Sequence, residues 1–158
     1  MSSDDLDRRS SSDPTEEQDS PPVIRRGRIL IVEDQPALRD LLALALRHDG
    51  HAVVRVESAE AALEHLRTAH FDVIVSDLTL AGAMTGWQLV AAVRARWPRT
   101  GFVLATGSGA EISPAVAAAA QVDAILSKPF SVTDLRHVVA RLIARGRTTP
   151  RATGRDTS

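Results

Sequence analysis

Three carboxylates, one hydroxyl and one ammonium stand at the ends of short apolar runs in this 158-residue chain. Glu33 and Asp34 follow Ile29–Val32 (ILIV), and Asp77 follows Val73–Ser76 (VIVS). Thr106 closes Phe102–Thr106 (FVLAT), and Lys128-Pro129 follows Ala124–Ser127. Of the 19 basic residues, Lys128 is the only lysine. Three carboxylates in one pocket repel, so either their pKa values rise or a cation neutralises them. A hard divalent ion such as Mg2+, with Mn2+ able to substitute, suits an all-oxygen pocket that holds few carboxylates and several waters. Metal and lysine together would bind a phosphoryl group, and the Thr106 hydroxyl would donate to one of its oxygens. The shielded Asp77 carboxylate would be free to act as a nucleophile. This assembly does phosphoryl transfer to an aspartate. A compact ammonium meets one phosphoryl oxygen in a tight pocket better than a planar guanidinium fork does.

Such a pocket forms only if those runs are strands ending on one edge of a sheet. Ile29–Val32 is a continuous apolar run rich in β-branched residues, the mark of a strand buried on both faces. Pro36 then opens a helix with Leu38, Leu41, Leu42 and Ala45 as its apolar face, closed by Gly50. Strand Ala52–Val56 leads to helix Ala59–Ala69, capped by Ser58, with Ala62, Leu63 and Leu66 inward. Strand Val73–Ser76 is followed by a glycine-bearing loop and helix Gln88–Trp97. After strand Phe102–Thr106, Ser113-Pro114 starts an Ala-rich helix. After strand Ala124–Ser127, Ser131-Val-Thr-Asp134 reads as a capping box for the last helix. Five βα units imply an α/β, doubly wound five-stranded parallel sheet with helices on both faces. In such sheets sites form beyond the carboxyl ends of the strands, where all five polar groups fall.

Composition removes other classes. Apolar residues at 44% suffice for a core, and 3% aromatic means that Ala, Val, Leu and Ile build it. A net charge of −1 gives no global field to attract nucleic acid or a membrane. The absence of cysteine excludes disulfides, thiolate catalysis and Cys-ligated metals. The longest apolar runs, Leu41–Leu46 and Ala115–Ala120, are too short to span a bilayer. The first 25 residues hold no apolar stretch of the signal-peptide kind, so the expectation is a cytoplasmic protein. Residues 1–24 read as a disordered acidic, Ser-rich tail, 25–145 as one domain, and 146–158 as a disordered Arg-rich tail.

The four pieces in order resemble the receiver domain of two-component response regulators over roughly Arg28–Arg145. They are Glu33-Asp34 after ILIV, Asp77 in VIVSDLTL, Thr106 in VLATG, and Lys128-Pro129-Phe130, with spacings of 43, 29 and 22 residues from Asp34 to Asp77, Thr106 and Lys128 in turn. The resemblance implies a flavodoxin-like (βα)5 fold with strand order 2-1-3-4-5. It implies Asp77 as phosphoacceptor, with Glu33, Asp34, Asp77 and the Thr79 backbone carbonyl holding Mg2+. Thr106 would grip the phosphoryl group and Lys128 would pair with its oxygens, next to a cis Lys128–Pro129 bond. The donor would be a phosphohistidine of a histidine kinase or histidine phosphotransfer protein. The chain would thus be a phosphoacceptor that assists its own phosphorylation and dephosphorylation rather than an enzyme. A downstream protein, or a second copy in a homodimer, would meet the face made by the fourth helix, fifth strand and fifth helix. No output domain fits in the 13 residues after Arg145.

The sequence also departs from the family pattern. The loop Leu80–Gly86 is longer than the commonest form and resembles that of receivers attached to hybrid sensor kinases. Ile125 stands where a switching Tyr or Phe is usual, and Thr79 and Ser108 occupy positions that tune phosphoryl lifetime. Two other readings remain. A receiver-like interaction module that is never phosphorylated would tolerate Ile125. An aspartate-nucleophile phosphatase of the haloacid-dehalogenase type would need an aspartate where Thr79 stands. Gly107-Ser-Gly109 reads as a turn, His48, His51, His65, His70 and His137 as surface residues, and Trp87 and Trp97 as packing residues.

Overall fold

The computed structural model describes residues 25–107 and 112–148. The expected tail 1–24, residues 149–158 of the expected tail 146–158, and Ser108 and Gly109 of the expected turn lie outside the described residues. The elements alternate as β1 (Arg28–Val32), α1 (Pro36–His48), β2 (Ala52–Val56), α2 (Ala59–Thr68), β3 (Val73–Asp77), α3 (Gly86–Arg96), β4 (Gly101–Thr106), α4 (Pro114–Ala120), β5 (Ala124–Ser127) and α5 (Val132–Thr148). All pairings are parallel, and the strand order is β2-β1-β3-β4-β5. The fold is the flavodoxin-like one that the resemblance implied.

Successive side chains of a strand point to opposite faces, so an unbroken apolar strand feeds two cores. Ile29, Ile31, Val73 and Val75 pack on one face against Leu42, Ala43 and Leu46 of α1 and Leu135, Val139 and Ile143 of α5. Leu30, Val32, Ile74 and Leu104 pack on the other against α2 and α3, through Ala62, Leu66, Leu89 and Val93. Trp87 and Trp97 lie partly buried against that second core, as packing residues. A three-way tie at the far end of the sheet joins α3 to β4 and α4. Arg94 donates to the carbonyls of Gln121 and Thr100 and pairs with Asp123 at 2.7 Å, and Asp123 also accepts the Phe102 N–H.

Several local expectations are corrected. Leu41, expected on the apolar face of α1, is 50% exposed, whereas Ala43 and Leu46, not expected there, are buried. Leu41–Leu46 is apolar all round, so packing on β1, β3 and α5 rather than periodicity selects the inward stripe. His51 is not a surface residue: it is 5% exposed, and its Nδ1 accepts the Gly27 N–H at 3.0 Å. It precedes β2 rather than riding on a helix, and its ring caps the start of β1. Helix α3 begins at Gly86, earlier than expected, because Thr85 and Gln88 form a reciprocal capping box. Helix α5 runs to Thr148, past the expected boundary at Arg145, from a start where Ser131 Oγ accepts the Asp134 N–H. No helix among the described residues is long and apolar enough to cross a membrane.

Candidate functional site

Each polar group reaches the carboxyl edge of the sheet by being the last residue of a strand or one of the first two beyond it. The Glu33 N–H continues the ladder past Val32 by donating to the Val56 carbonyl at 3.1 Å, which fixes Glu33 in a 2% exposed position. Asp77 ends β3 opposite Ala105 and is 8% exposed. Thr106 ends β4 at 3% exposure, and its carbonyl accepts the Lys128 N–H at 2.7 Å. That bond brings the chain beyond β5 alongside β4. The Lys128–Pro129 peptide is cis, as the resemblance implied.

These placements converge. Carboxylate oxygens of Glu33, Asp34 and Asp77 all lie within 4.8 Å of one another. The Lys128 ammonium spans two of them, at 3.2 Å from Asp77 Oδ2 and 3.4 Å from Glu33 Oε2. The second Asp77 oxygen, Oδ1, accepts the Thr79 N–H at 3.3 Å. Glu33 Oε1 accepts the Gln35 N–H at 3.3 Å, and Arg39 donates to the Glu33 carbonyl at 3.0 Å. Thr106 Oγ1 donates to the Gly107 carbonyl at 3.2 Å. Burial pushes the Glu33 carboxyl above its ordinary value; Lys128 pulls it back down and Asp77 pushes it further up. One ammonium thus partly compensates three converging acids, which leaves an anionic pocket.

Two expected residues lie at its margin. Ile125 is half-buried in β5 opposite Leu104, and Pro129 is exposed. Gly86, absent from the candidates read in the sequence, shapes the pocket through backbone. A β-carbon there would stand 2.6 Å from the Asp77 carbonyl oxygen and 2.7 Å from Leu78 Cα. Its N–H donates to the Leu78 carbonyl at 2.9 Å, so α3 starts hard against the strand end that carries Asp77. The Thr85-x-x-Gln88 spacing was the signal for that start.

The model of the response regulator receiver domain matches residues 29–140, most of the described chain. The chain belongs to the response regulator receiver domain family. It is 42% identical over 115 residues to the response regulator protein FleR of Pseudomonas aeruginosa, covering 72% of this chain and 24% of that protein. It is 33% identical over 119 residues to the transcriptional regulatory protein TcrA of Mycobacterium tuberculosis, covering 75% of this chain and 47% of that one. The chain therefore spans less than half the length of these relatives. Among solved structures, the chemotaxis response regulator CheY4 of Vibrio cholerae superposes with a TM-score of 0.67 at 28% identity, covering 75% of this chain and 99% of that one. The signal receiver domain of a signal transduction histidine kinase from Syntrophus aciditrophicus gives 0.70 at 25% identity, covering 80% and 97%.

Receivers interact with histidine kinases or phosphotransfer proteins, and they typically bind Mg2+ at an acidic pocket. The donors of this receiver fit that ion: they are hard oxygens only, and the chain has no cysteine to favour a softer metal.

Proposed function

We propose that this receiver takes a phosphoryl group onto Asp77 from a phosphohistidine of a histidine kinase or phosphotransfer protein. The observation that carries the reading is the Lys128 ammonium 3.2 Å from Asp77, beside carboxylates within 4.8 Å of one another. Glu33, Asp34 and Asp77, with the Thr79 carbonyl, would hold Mg2+ or Mn2+. When bound, that ion neutralises charge on the pocket and on the phosphoryl oxygens.

The chain's own residues do the rest. Thr79 donates to one Asp77 oxygen and Lys128 to the other, so the carboxylate is oriented before the donor arrives. An Asp77 oxygen forms the new O–P bond as the P–N bond breaks, and the electron pair returns to the donor's ring nitrogen. Transfer replaces a carboxylate charge by phosphoryl charge within reach of Lys128, whose ammonium passes from carboxylate to phosphoryl oxygen. The Thr106 hydroxyl turns from the Gly107 carbonyl to the same group. Water then attacks the phosphorus, the O–P bond to Asp77 breaks and inorganic phosphate leaves. Asp77 is thus regenerated, and the receiver assists its own phosphorylation and dephosphorylation rather than turning over a separate substrate.

The output face we assign is α4–β5–α5, where a second copy or a downstream protein would dock. Helix α4 has no buried residue and presents Val116 at 50% exposure, which supports that reading. The half-buried Ile125 lies in the same region and takes the place of an aromatic switch. The test is metal dependence: a small phosphodonor such as acetyl phosphate should label the protein with Mg2+ and not with excess EDTA. Equal labelling under both conditions would overturn the cation's role.

A further inference from the structure

The loop after Asp77 is anchored at both ends by local bonds. Thr79 donates to Asp77 Oδ1 at its start, and at its close Gly86 donates to the Leu78 carbonyl. Between them Ala81, Gly82 and Ala83 are exposed and bring no side chain long enough to hold the loop. The hold comes from outside. Glu60, in the first turn of α2, accepts the Met84 N–H on Oε1 at 3.0 Å. Gly82, with φ of +115°, lies against the same carboxylate: a β-carbon there would be 3.3 Å from Glu60 Oε2 and 3.7 Å from Oε1. Glycine adopts that left-handed backbone at no steric cost and leaves the carboxylate room. Bonds from a backbone N–H to an ionised acceptor are among the stronger hydrogen bonds. Glu60 is not one of the clustered carboxylates Glu33, Asp34 and Asp77.

We propose that Glu60 is a positioning residue for the acceptor pocket: by holding Met84 it presets the loop that carries Thr79. This rests on the reading of the acidic cluster as a Mg2+-dependent phosphoacceptor site. A loop already in place does not have to be ordered when the cation binds. A loop in place only part of the time weakens apparent affinity by the fraction of time it is formed.

The experiment compares wild type, Glu60→Ala and Glu60→Gln, since glutamine keeps an Oε1 acceptor for Met84. In the metal-free protein, the Met84 amide should exchange about threefold to tenfold faster in Glu60→Ala. The Mg2+ dissociation constant, read by Trp87 fluorescence, should rise by a similar factor. Saturating Mg2+ should restore the labelling rate with acetyl phosphate, and Glu60→Gln should behave close to wild type throughout. Unchanged Met84 exchange and Mg2+ affinity in Glu60→Ala, with normal binding by wild type, would overturn the role of Glu60 and leave the phosphoacceptor reading standing. A wild type that binds no Mg2+ would overturn both.

Discussion

Gly86→Ala should destabilise the fold, against the ordinary sign of that substitution at a helix start. In a helix, alanine is favoured over glycine by about 1 kcal/mol. Here the new β-carbon would meet the Asp77 carbonyl oxygen at 2.6 Å, Leu78 Cα at 2.7 Å and the Leu78 carbonyl oxygen at 2.9 Å, all of them backbone atoms. None is the far end of a side chain that could swing aside, so the end of β3 or the start of α3 must shift. Forced overpacking of this kind costs about 1–3 kcal/mol, and three backbone clashes argue for the upper end. Offsetting the helix gain leaves a net loss of about 2 kcal/mol, or a fall in Tm on the order of 7 °C for a domain of this size. Urea unfolding followed by far-UV circular dichroism, with the m-value checked for constancy, reads the difference directly. A variant as stable as wild type, or more so, would refute the claim that α3 is pressed against the backbone of Asp77 and Leu78.

Two other substitutions probe charge. Lys128→Arg keeps the formal charge but replaces an ammonium that reaches Glu33 and Asp77 at 3.4 and 3.2 Å. It should slow labelling of the receiver at least about tenfold, with the urea midpoint nearly unchanged, and a wild-type labelling rate would contradict the proposed role of the ammonium. His51 is held below its ordinary value of 6.5, mainly by burial, while Asp49 and Asp72 pull the other way. Its folded pKa lies below its unfolded pKa, so its contribution to stability is fully present above pH 6.5 and is lost as pH falls through the folded value. Wild type should lose unfolding free energy as pH falls below 6.5, and His51→Gln should show a flatter profile; equal slopes would refute the assignment.

The fold was legible because it rests on patterns that sequence carries directly. The runs at Ile29–Val32 and Val73–Ser76, rich in β-branched residues, are buried on both faces, as central parallel strands require. The pocket was legible for a related reason: strand ends share an edge in a parallel sheet, so Glu33, Asp34, Asp77 and Lys128 converge and Thr106 ends its strand on the same edge. Legibility failed where packing chooses among equivalents or where distant backbone decides. Leu41 and Ala43 both lie in the all-apolar stretch Leu41–Leu46 of α1, and nothing in their spacing says which of them is buried. His51 is buried because the first N–H of the β1 edge, that of Gly27, needs an acceptor. Gly86 and Glu60 act on backbone atoms of residues 77, 78, 82 and 84, and such contacts leave no mark in the pattern of side-chain types.

The central claim is that Asp77 is the phosphoacceptor, and phosphorylation of wild type and Asp77→Asn side by side tests it most directly. Both proteins are incubated with acetyl phosphate and Mg2+ and followed by intact mass and by acid and base treatment. Wild type should gain a single acid-stable, base-labile phosphoryl group, and Asp77→Asn, which keeps the shape of the side chain but not its nucleophilic carboxylate, should gain none. Label of the same lability persisting in Asp77→Asn would place the acceptor elsewhere and contradict the account.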